Sequence, residues 1–502
     1  MMRNNSLAPA ATAGWLGDLG APTLVGNYQL IGVATLLVSA ALVRIAFWSY
    51  TDWTIEDGMI VGRIARNFAR SGVLSFNTGE VVSSATSPLF ALMAGVLVKA
   101  GLDPISAVRV LGLLAGIATA YIFYASACAY LPQRFALLTS LSYTLLPTTV
   151  AYNLCGLETP LYTLACMAAL FTSMRRRHRT ALLYGALALV FRPDGLVVLG
   201  VVLAVAMFEA VGYRQKVLWA MPAALVLCIN FGVHYAAFGE IIPHTMIAKS
   251  AAYHIHVVNN VARYLWQMLF SQPAGLALYA LASAGLPVAI RVNKRTGLLI
   301  IWYVLYHLAF MLRAPLFDWY LQPPTFVVVF FAGFAIWKVV VFLTSRPILH
   351  GNRWAPLLWP TCLLGLILLA GFAANVRYMG GKLINREYER NVREAAGRWL
   401  NQNAKADDLV FTESLGYIGY YNNNPLVDWP GLVSADIPGL IKGLDRMEAY
   451  ERIIDVKKPE YLVLRNAEWG QLSEKFSPSY EIVAAFPSTE PSSSGYLIAK
   501  LH

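Results

Sequence analysis

The chain has 502 residues, of which 57% are hydrophobic and only 13% are charged, and its mean hydropathy is +0.54. Soluble proteins carry about 25% charged residues, so this composition excludes an ordinary soluble enzyme and indicates a multi-pass membrane protein. The formal net charge of +11 does not indicate a nucleic-acid-binding groove, because the Lys and Arg residues lie mostly in short runs between apolar segments. Such runs are typical of loops that fix membrane topology.

The cysteines and the N-terminus of the chain do not indicate a disulfide, a metal site or a cleavable signal peptide. The five cysteines lie in or beside apolar stretches without paired metal-ligand spacing, so they predict neither a disulfide framework nor a zinc site. The N-terminus has no convincing cleavable signal, because polar residues with Gly and Pro precede the first long apolar run. We therefore expect an N-terminal cytoplasmic segment, residues 1–28, followed by a span that remains as an anchor.

The apolar runs predict about 11 transmembrane helices, since a helix needs about 20 residues to cross a bilayer. A further apolar segment, 87–102, is short, and we expect it to lie in the membrane interface. With that assignment the basic loops all fall on one side, as the positive-inside rule favours. These loops are 175–179, 213–216, 291–295 and 346–353. The candidate spans are 29–48, 105–131, 133–151, 158–174, 180–191, 194–212, 216–237, 273–292, 297–312, 321–343 and 355–375.

This topology gives two parts. A transmembrane domain covers 29–376 and includes a large first outer loop, 49–104. The tail, 377–502, alternates helix-like and strand-like segments, which predicts a small extracytoplasmic α/β domain. The predicted fold class is therefore an α-helical polytopic membrane protein with a small C-terminal α/β domain. The sequence has no glycine-rich phosphate loop, no dinucleotide-binding fingerprint and no internal repeat, so nucleotide binding is not predicted.

Polar residues that could carry chemistry fall on the predicted outer face. Arg192 and Asp194 interrupt an apolar stretch, where charges are costly in lipid, so they should line a cavity. Each candidate also has an ordinary explanation: an acidic pair suits a helix N-terminus, and Arg192 can simply pair with Asp194. Glu413 in the tail is interpreted as structural. The candidates are Glu56, Asp57, Arg63, Glu158, Arg192, Asp194, His244, Lys249, Asp318 and Tyr320.

Their common face predicts a polar site that is open to the outside and bordered by lipid. Carboxylates can supply a general base, basic residues can hold an anionic leaving group, and a groove at membrane depth can accept a lipid tail. A phosphate-linked lipid donor fits all three features. It also explains the absence of nucleotide motifs, because nucleotide sugars are not expected outside the cytoplasm.

Several motifs, in order, resemble the GT-C glycosyltransferases, which are polytopic enzymes that use polyprenyl-phosphate sugars. The stretch IEDGMIVGRIARNFARSGVLSFNTGEVVSSATSPLF at 55–90 is similar to their first outer loop, and the nearest pattern is the AftB-like arabinofuranosyltransferase type. The similarity runs from about residue 50 to residue 433. The later motifs are GLETPLY at 156–162, FRPDGL at 191–196, FGEIIPHTMIAK at 238–249 and GYIGYYNNNPLVDWPGLV at 416–433.

The resemblance implies an inverting glycosyltransferase in the cytoplasmic membrane. It would move a sugar from a polyprenyl-phosphate donor to a cell-envelope glycan, lipid or protein acceptor on the outer face. Asp57 is the expected base, and Glu56 stands where relatives carry a second Asp. Arg192 and Lys249, with His244 and Arg63, are the expected donor-binding residues. The remaining substrate-binding candidates are Glu158, Asp194, Asp318 and Tyr320.

Some implications of the resemblance stay open. The tail is shorter than in the arabinosyl relatives and shows no carbohydrate-binding module, so arabinose, mannose or another sugar is compatible with the sequence. Some GT-C enzymes need a divalent cation, which the pair of Glu56 and Asp57 could support, but no third ligand is evident and no metal site is assigned.

Two other classes of protein remain as alternatives. A lipid-linked sugar transporter or flippase would also have many spans with charges inside them, but transporters often have pseudo-symmetric halves, and this sequence has none. A different acyl- or phosphoryl-transferase would need its own nucleophile or metal signature. The sequence shows neither at suitable spacing.

Overall fold

The computed structural model describes residues 27–253, 257–270, 275–313, 317–344, 355–488 and 494–502. The predicted N-terminal segment 1–28, except its last two residues, and the basic loop 346–353 lie outside the described residues.

Among the described residues, 16 α-helices form the predicted membrane part and its outer loops. Every predicted span coincides with helical structure, and the short apolar segment 87–102 contains a helix of its own. The helices are α1 (Asn27–Thr51), α2 (Glu56–Ser71), α3 (Pro88–Lys99), α4 (Pro104–Ala127), α5 (Gln133–Thr144), α6 (Pro147–Leu154), α7 (Thr159–Met174), α8 (His178–Phe191), α9 (Gly195–Glu209), α10 (Tyr213–Phe238), α11 (His244–Ala252), α12 (Val257–Phe270), α13 (Gly275–Val292), α14 (Gly297–Arg313), α15 (Thr325–Thr344) and α16 (Ala355–Glu389).

The protein is a multi-pass membrane protein by the length and composition of its helices. Within the described residues, seven helices are long and apolar enough to cross a membrane, or eight if α6 and α7 form one broken span. These two helices bend by 118° at their break. The predicted number of about 11 is higher because it also counts the shorter helices α8 and α9 and the segment 133–151. That segment is divided at Pro147, which begins α6 and cannot continue a preceding helix.

The tail forms the predicted α/β structure. Its helices are α17 (Ala395–Asn403), α18 (Leu415–Tyr421), α19 (Ile437–Ile441), α20 (Arg446–Lys457) and α21 (Asn466–Phe476), and its strands are β1 (Val410–Thr412), β2 (Leu426–Asp428), β3 (Tyr461–Arg465), β4 (Tyr480–Phe486) and β5 (Tyr496–Leu501). The strands form one sheet in the order β2-β1-β3-β5-β4. β1 pairs in parallel with β2 and β3, whereas β5 pairs antiparallel with β3 and β4.

Alternation along the strands gives the sheet two apolar faces, because successive side chains point to opposite sides. One face, with Val410 and Val463, packs against α2, α3 and α17. The other face, with Phe411 and Leu462, packs against α19, α20 and α21. The first outer loop and the tail therefore share one hydrophobic core, and α2 lies between the sheet and the membrane helices.

Candidate active site

A cavity of about 910 Å³ lies where the first outer loop meets the membrane helices. Its walls come from the start of α2, the residues before α3, the α6–α7 turn, the α8–α9 break, helix α11 and the segment before α15. The tail contributes Leu432. The polar lining residues are Asp57, Ser84, Thr86, Glu158, Arg192, Asp194, Thr245, Lys249, Ser250, Tyr253, Trp319 and Tyr320.

Asp57 lies in the first turn of α2 and is half-buried at the cavity wall. Close packing of α2 on the α6–α7 turn sets its position. The backbone N–H of Ile55 donates to the carbonyl of Cys155 at 3.1 Å, and a Cβ added to Gly58 would lie 2.4 Å from the same oxygen. Within the described part of the chain, the Asp57 carboxylate has neither an ion pair nor a hydrogen bond. It is therefore available to a substrate.

Arg192 is buried at the break between α8 and α9, and its charge is largely neutralised by its neighbours. Its Nε lies 2.9 Å from Oδ1 of Asp194 and 3.9 Å from Oε1 of Glu158. Its guanidinium carbon is 4.9 Å from the ring centre of Tyr162 and 4.8 Å from that of Tyr320. The break thus places one cation and one carboxylate at the cavity, next to Glu158 from the α6–α7 turn, as expected for charges that would be costly in lipid.

Lys249, on α11, faces this acidic side of the cavity. Burial alone would lower the pKa of its ammonium group, but interactions with Tyr320, Asp57 and Glu158 outweigh burial, so the pKa lies above its ordinary value. The ammonium nitrogen lies 5.3 Å from the ring centre of Phe317, and no carboxylate of the described residues lies within 4 Å of it. Lys249 is therefore a charged group that a substrate anion could engage.

Glu56 does not share the cavity with Asp57. Its Oε2 accepts from Nη1 of Arg393 at 2.6 Å, and its Oε1 accepts from the backbone N–H of Gly416 at 2.6 Å. Burial raises the pKa of the Glu56 carboxyl, and Arg393 and Gly416 oppose that shift. Glu56 therefore connects α2 to the tail.

Arg63 also connects α2 to the tail. It is 2% exposed. Its Nη1 donates to the carbonyls of Gly419 at 2.7 Å and Asn422 at 3.0 Å, and its Nη2 donates to that of Asn424 at 2.9 Å. Its Nε donates to the carbonyl of Phe76 at 2.9 Å. With all of these donors used by the protein, Arg63 does not line the cavity.

Two further predicted residues lie near the cavity but outside its lining. His244 is buried at the start of α11, and its Nδ1 lies 3.2 Å from Oε1 of Glu240. Asp318 begins the short 3₁₀ turn that presents Trp319 and Tyr320 to the cavity. The structure thus brings together Asp57, Glu158, Arg192, Asp194, Lys249 and Tyr320, and places Glu56, Arg63, His244 and Asp318 around them.

Sequence reasoning missed the hydroxyl groups on the loop before α3. Ser84 and Thr86 line the cavity, and Thr86 Oγ1 lies 3.4 Å from Oγ1 of Thr245. The neighbouring Ser83 Oγ lies 2.9 Å from Nε2 of His234. The stretch VVSSATSP contains these residues, but small hydroxyl residues are equally common in ordinary loops, so no signal separated them.

The described residues show no group of three or more His, Cys, Asp or Glu that could hold a metal ion. The acidic pair in particular does not present two carboxylates to one space, because Glu56 is bound to Arg393 and Gly416. The residues of the cavity therefore do not form a recognisable cation site.

Comparison with solved structures identifies the fold. ArnT from Cupriavidus metallidurans in the apo state aligns with a TM-score of 0.62 at 14% identity, over 94% of this chain and 98% of that chain. ArnT bound to undecaprenyl phosphate aligns with a TM-score of 0.55 at 13% identity, over 93% and 98%. The Archaeoglobus fulgidus oligosaccharyltransferase in complex with Zn and sulfate aligns with a TM-score of 0.54 at 12% identity, over 92% and 72%.

The chain has the GT-C fold. This confirms the fold that the resemblance predicted, whereas the arabinofuranosyltransferase type stays a prediction. A family model described as a domain of unknown function (DUF8728) matches residues 376–499, which contain the sheet that covers the GT-C membrane helices. No curated protein sequence matches the chain.

Proposed function

We propose that the protein is an inverting glycosyltransferase that moves a sugar from a polyprenyl-phosphate donor to a cell-envelope glycan, lipid or protein. The observation that carries this proposal is the cavity, which is lined by the Asp57 carboxylate and the Lys249 ammonium, neither of which has an ion pair among the described residues. The GT-C fold supports it. Structures with this fold include ArnT bound to undecaprenyl phosphate and the archaeal oligosaccharyltransferase AglB in complex with an inhibitory peptide and a dolichol-phosphate.

In this reaction Asp57 acts as the general base. It accepts the proton of the acceptor hydroxyl, whose oxygen forms a bond to the anomeric carbon of the donor sugar. The bond between that carbon and the phosphate oxygen breaks, and the electron pair leaves with the lipid phosphate. Because attack and departure take place on opposite faces, the anomeric configuration inverts.

Lys249 is the residue that stabilises the departing phosphate. Arg192 contributes less free charge, since Asp194 and Glu158 neutralise it. A positive group directed at a developing anion lowers the barrier most when it needs no reorganisation. The raised pKa of Lys249 keeps it protonated in the cavity for this purpose.

The lipid part of the donor has an apolar path beside this charge. Leu196 and Leu312 line the cavity and are 63% and 49% exposed, although both are apolar. Apolar surface of this kind on helices α9 and α14 is suited to acyl or prenyl chains rather than to water. We place the prenyl chain there, with its phosphate at Lys249.

Mass spectrometry of the envelope glycans of cells with and without the protein tests this function. We expect loss of one defined sugar without the protein, and an unchanged glycan profile would contradict the proposal. The lost sugar would also decide between arabinose, mannose and another sugar.

The Asp57→Asn variant separates a transferase from the alternative, a lipid-linked sugar flippase. We expect it to bind polyprenyl-phosphate sugars extracted from the source membranes but to transfer sugar at least about 10²-fold more slowly, since general-base catalysis contributes roughly 10²–10⁴. The matched control is Asp407→Asn, at an exposed position of the tail. Lipid movement across proteoliposomes that depends on the protein and survives Asp57→Asn, without sugar transfer by the wild type, would favour the flippase.

A further inference from the structure

The sheet of the tail has a topological switch point. β2 and β3 lie on opposite sides of β1, and all three strands are parallel. In open sheets of this kind, the connections after neighbouring strands diverge at the switch point and leave a crevice at the carboxyl ends, where ligands bind. Here the switch point lies between β1 and β3. It is formed by Glu413 and Ser414, which follow β1, and by Arg465, which ends β3.

Polar groups at this crevice keep free hydrogen-bonding capacity. Nη2 of Arg465 donates to Oε2 of Glu413 at 2.6 Å, and its Nη1 donates to Oε1 of Glu468 at 2.7 Å. The Glu413 and Arg465 side chains are still 24% and 26% exposed. Oε1 of Glu413 accepts no hydrogen bond from the described residues. A carboxylate and a guanidinium held together in this way offer an acceptor and several donors side by side.

Contacts of the tail connect the crevice with the wall of the Asp57 cavity, to which the tail contributes Leu432. Gly416, which follows the crevice residues, donates its N–H to Glu56, the neighbour of Asp57 in the chain. From the carboxyl end of β2, Trp429 lies 5.5 Å from the ring centre of Tyr253, a cavity residue. Burial, together with the charges of Glu413 and Asp57, raises the pKa of Tyr253. The guanidinium carbon of Arg446, which is bound to Glu468 at the crevice, lies 5.1 Å from the ring centre of Trp429.

The charges at the crevice favour a neutral ligand. Arg465 and Arg446 are balanced by Glu413 and Glu468, and Nη2 of Arg446 lies 2.5 Å from Oε1 of Glu468. A phosphate would meet the Glu413 carboxylate at close range, whereas sugar hydroxyls can donate to a carboxylate and accept from a guanidinium.

We propose that the carboxyl edge of the sheet, around Glu413 and Arg465, binds a glycan acceptor next to the hydroxyl that reacts. This inference rests on the proposed transferase function and assigns its acceptor class: a hydroxyl-rich saccharide rather than a lipid or a peptide. Glu413 and Arg465 position the sugar residues adjoining the reacting one, and they take no part in bond formation.

Steady-state kinetics of the full-length protein tests this assignment. The acceptor probe is envelope glycan prepared from cells that lack the protein, and the donor is the polyprenyl-phosphate sugar extracted from the same cells. We expect Glu413→Gln and Arg465→Lys to raise the KM for this glycan roughly tenfold or more, since each removes a charged hydrogen bond. The KM for the donor and the slow hydrolysis of the donor by water should stay at the wild-type values.

The control variant is Lys475→Gln, which removes an exposed ion pair with Glu451 and Asp455 elsewhere in the tail. Thermal unfolding of all variants identifies any loss of folding, and Glu413→Asp, which keeps the charge, should recover part of the glycan affinity. If the wild-type protein is active and both Glu413→Gln and Arg465→Lys keep its KM for the glycan, the proposed acceptor surface is wrong, whereas the proposed transferase function still stands. A wild-type protein that neither transfers to glycan nor hydrolyses donor would overturn the proposed function itself.

Discussion

At the scale of single residues, the two cations of the cavity have different surroundings and therefore different roles. Arg192 is held by Asp194 and by Glu158, and all three side chains are nearly buried. Lys249 lines the same cavity without an ion pair among the described residues. Removing a member of a buried ion pair leaves an uncompensated charge, whereas removing an unpaired cation at a cavity wall leaves none.

We therefore expect Arg192→Gln to act mainly on stability and Lys249→Met to act mainly on catalysis. Arg192→Gln should cost about 3–5 kcal/mol of folding free energy. Lys249→Met should lower kcat about 10²-fold or more with little change in the melting temperature, because it removes a charge directed at the leaving group. Thermal unfolding in detergent and kcat of both variants measure this. An equal loss of stability in the two variants would contradict a structural role for Arg192 and a catalytic role for Lys249.

The sequence could locate these residues only in part. Arg192 and Asp194 were predicted from their break in an apolar stretch, and Asp57 and Lys249 from short motifs. Glu56 could not be separated from Asp57, because adjacent residues on a helix point in different directions and the sequence does not show which neighbour meets each. The partner of Glu56, Arg393, is 337 residues away in the chain. Arg63 was expected to bind the donor. The sequence could not show that its side chain is held instead by the carbonyls of Gly419 and Asn422, because these residues lie more than 350 positions later in the chain.

At the scale of elements, the start of α2 depends on close contact with the α6–α7 turn. Gly58 and Gly156 face each other there, and Gly156 has a positive φ of 92°. This contact sets the distance between Asp57 and the carboxylate of Glu158. The sequence indicated a helix N-terminus at the acidic pair, but the contact of α2 with the α6–α7 turn is not a property of either segment, so the sequence did not predict it.

The Gly58→Ala variant tests this contact. Its Cβ would lie 2.4 Å from the carbonyl oxygen of Cys155 and 2.9 Å from Cγ2 of Thr54, so α2 must move. Overpacking of this kind costs about 1–3 kcal/mol, and the displaced Asp57 should lower kcat further. Gly470→Ala is the matched control, since it lies within a helix with no atom near the added Cβ. It should be neutral or slightly stabilising. Wild-type kcat in Gly58→Ala would show that the contact does not position the base.

At the scale of the whole molecule, composition and hydropathy predicted a polytopic protein with an α/β tail, and the fold confirms both. They could not give the number of spans, because α8 and α9 are shorter than a bilayer and Pro147 divides the predicted span 133–151. Whether such a segment crosses the membrane depends on the length of its helix and on its packing, and neither can be read from an apolar run alone. The orientation in the cytoplasmic membrane, with the cavity and the tail outside, stays a prediction from the basic loops.

Cysteine labelling of intact cells checks this orientation. In a background without the native cysteines, Gln471→Cys in the tail and Arg214→Cys in a basic loop are both at exposed positions. A membrane-impermeant maleimide should label the first variant in intact cells and the second only after the membrane is made permeable, as the positive-inside rule requires. The reverse pattern would place the cavity on the cytoplasmic side.

The hydrogen bonds of Arg63 also bear on how the protein is made. The ribosome synthesises this arginine more than 350 residues before the carbonyls of Gly419 and Asn422 that hold it. During that interval α2 carries a charged side chain of which only one carbonyl partner, that of Phe76, has been synthesised. The first outer loop therefore reaches its final position late, once the tail has folded onto it. A chain interrupted before Gly419 would have its membrane helices but would lack three of the four carbonyl partners of Arg63.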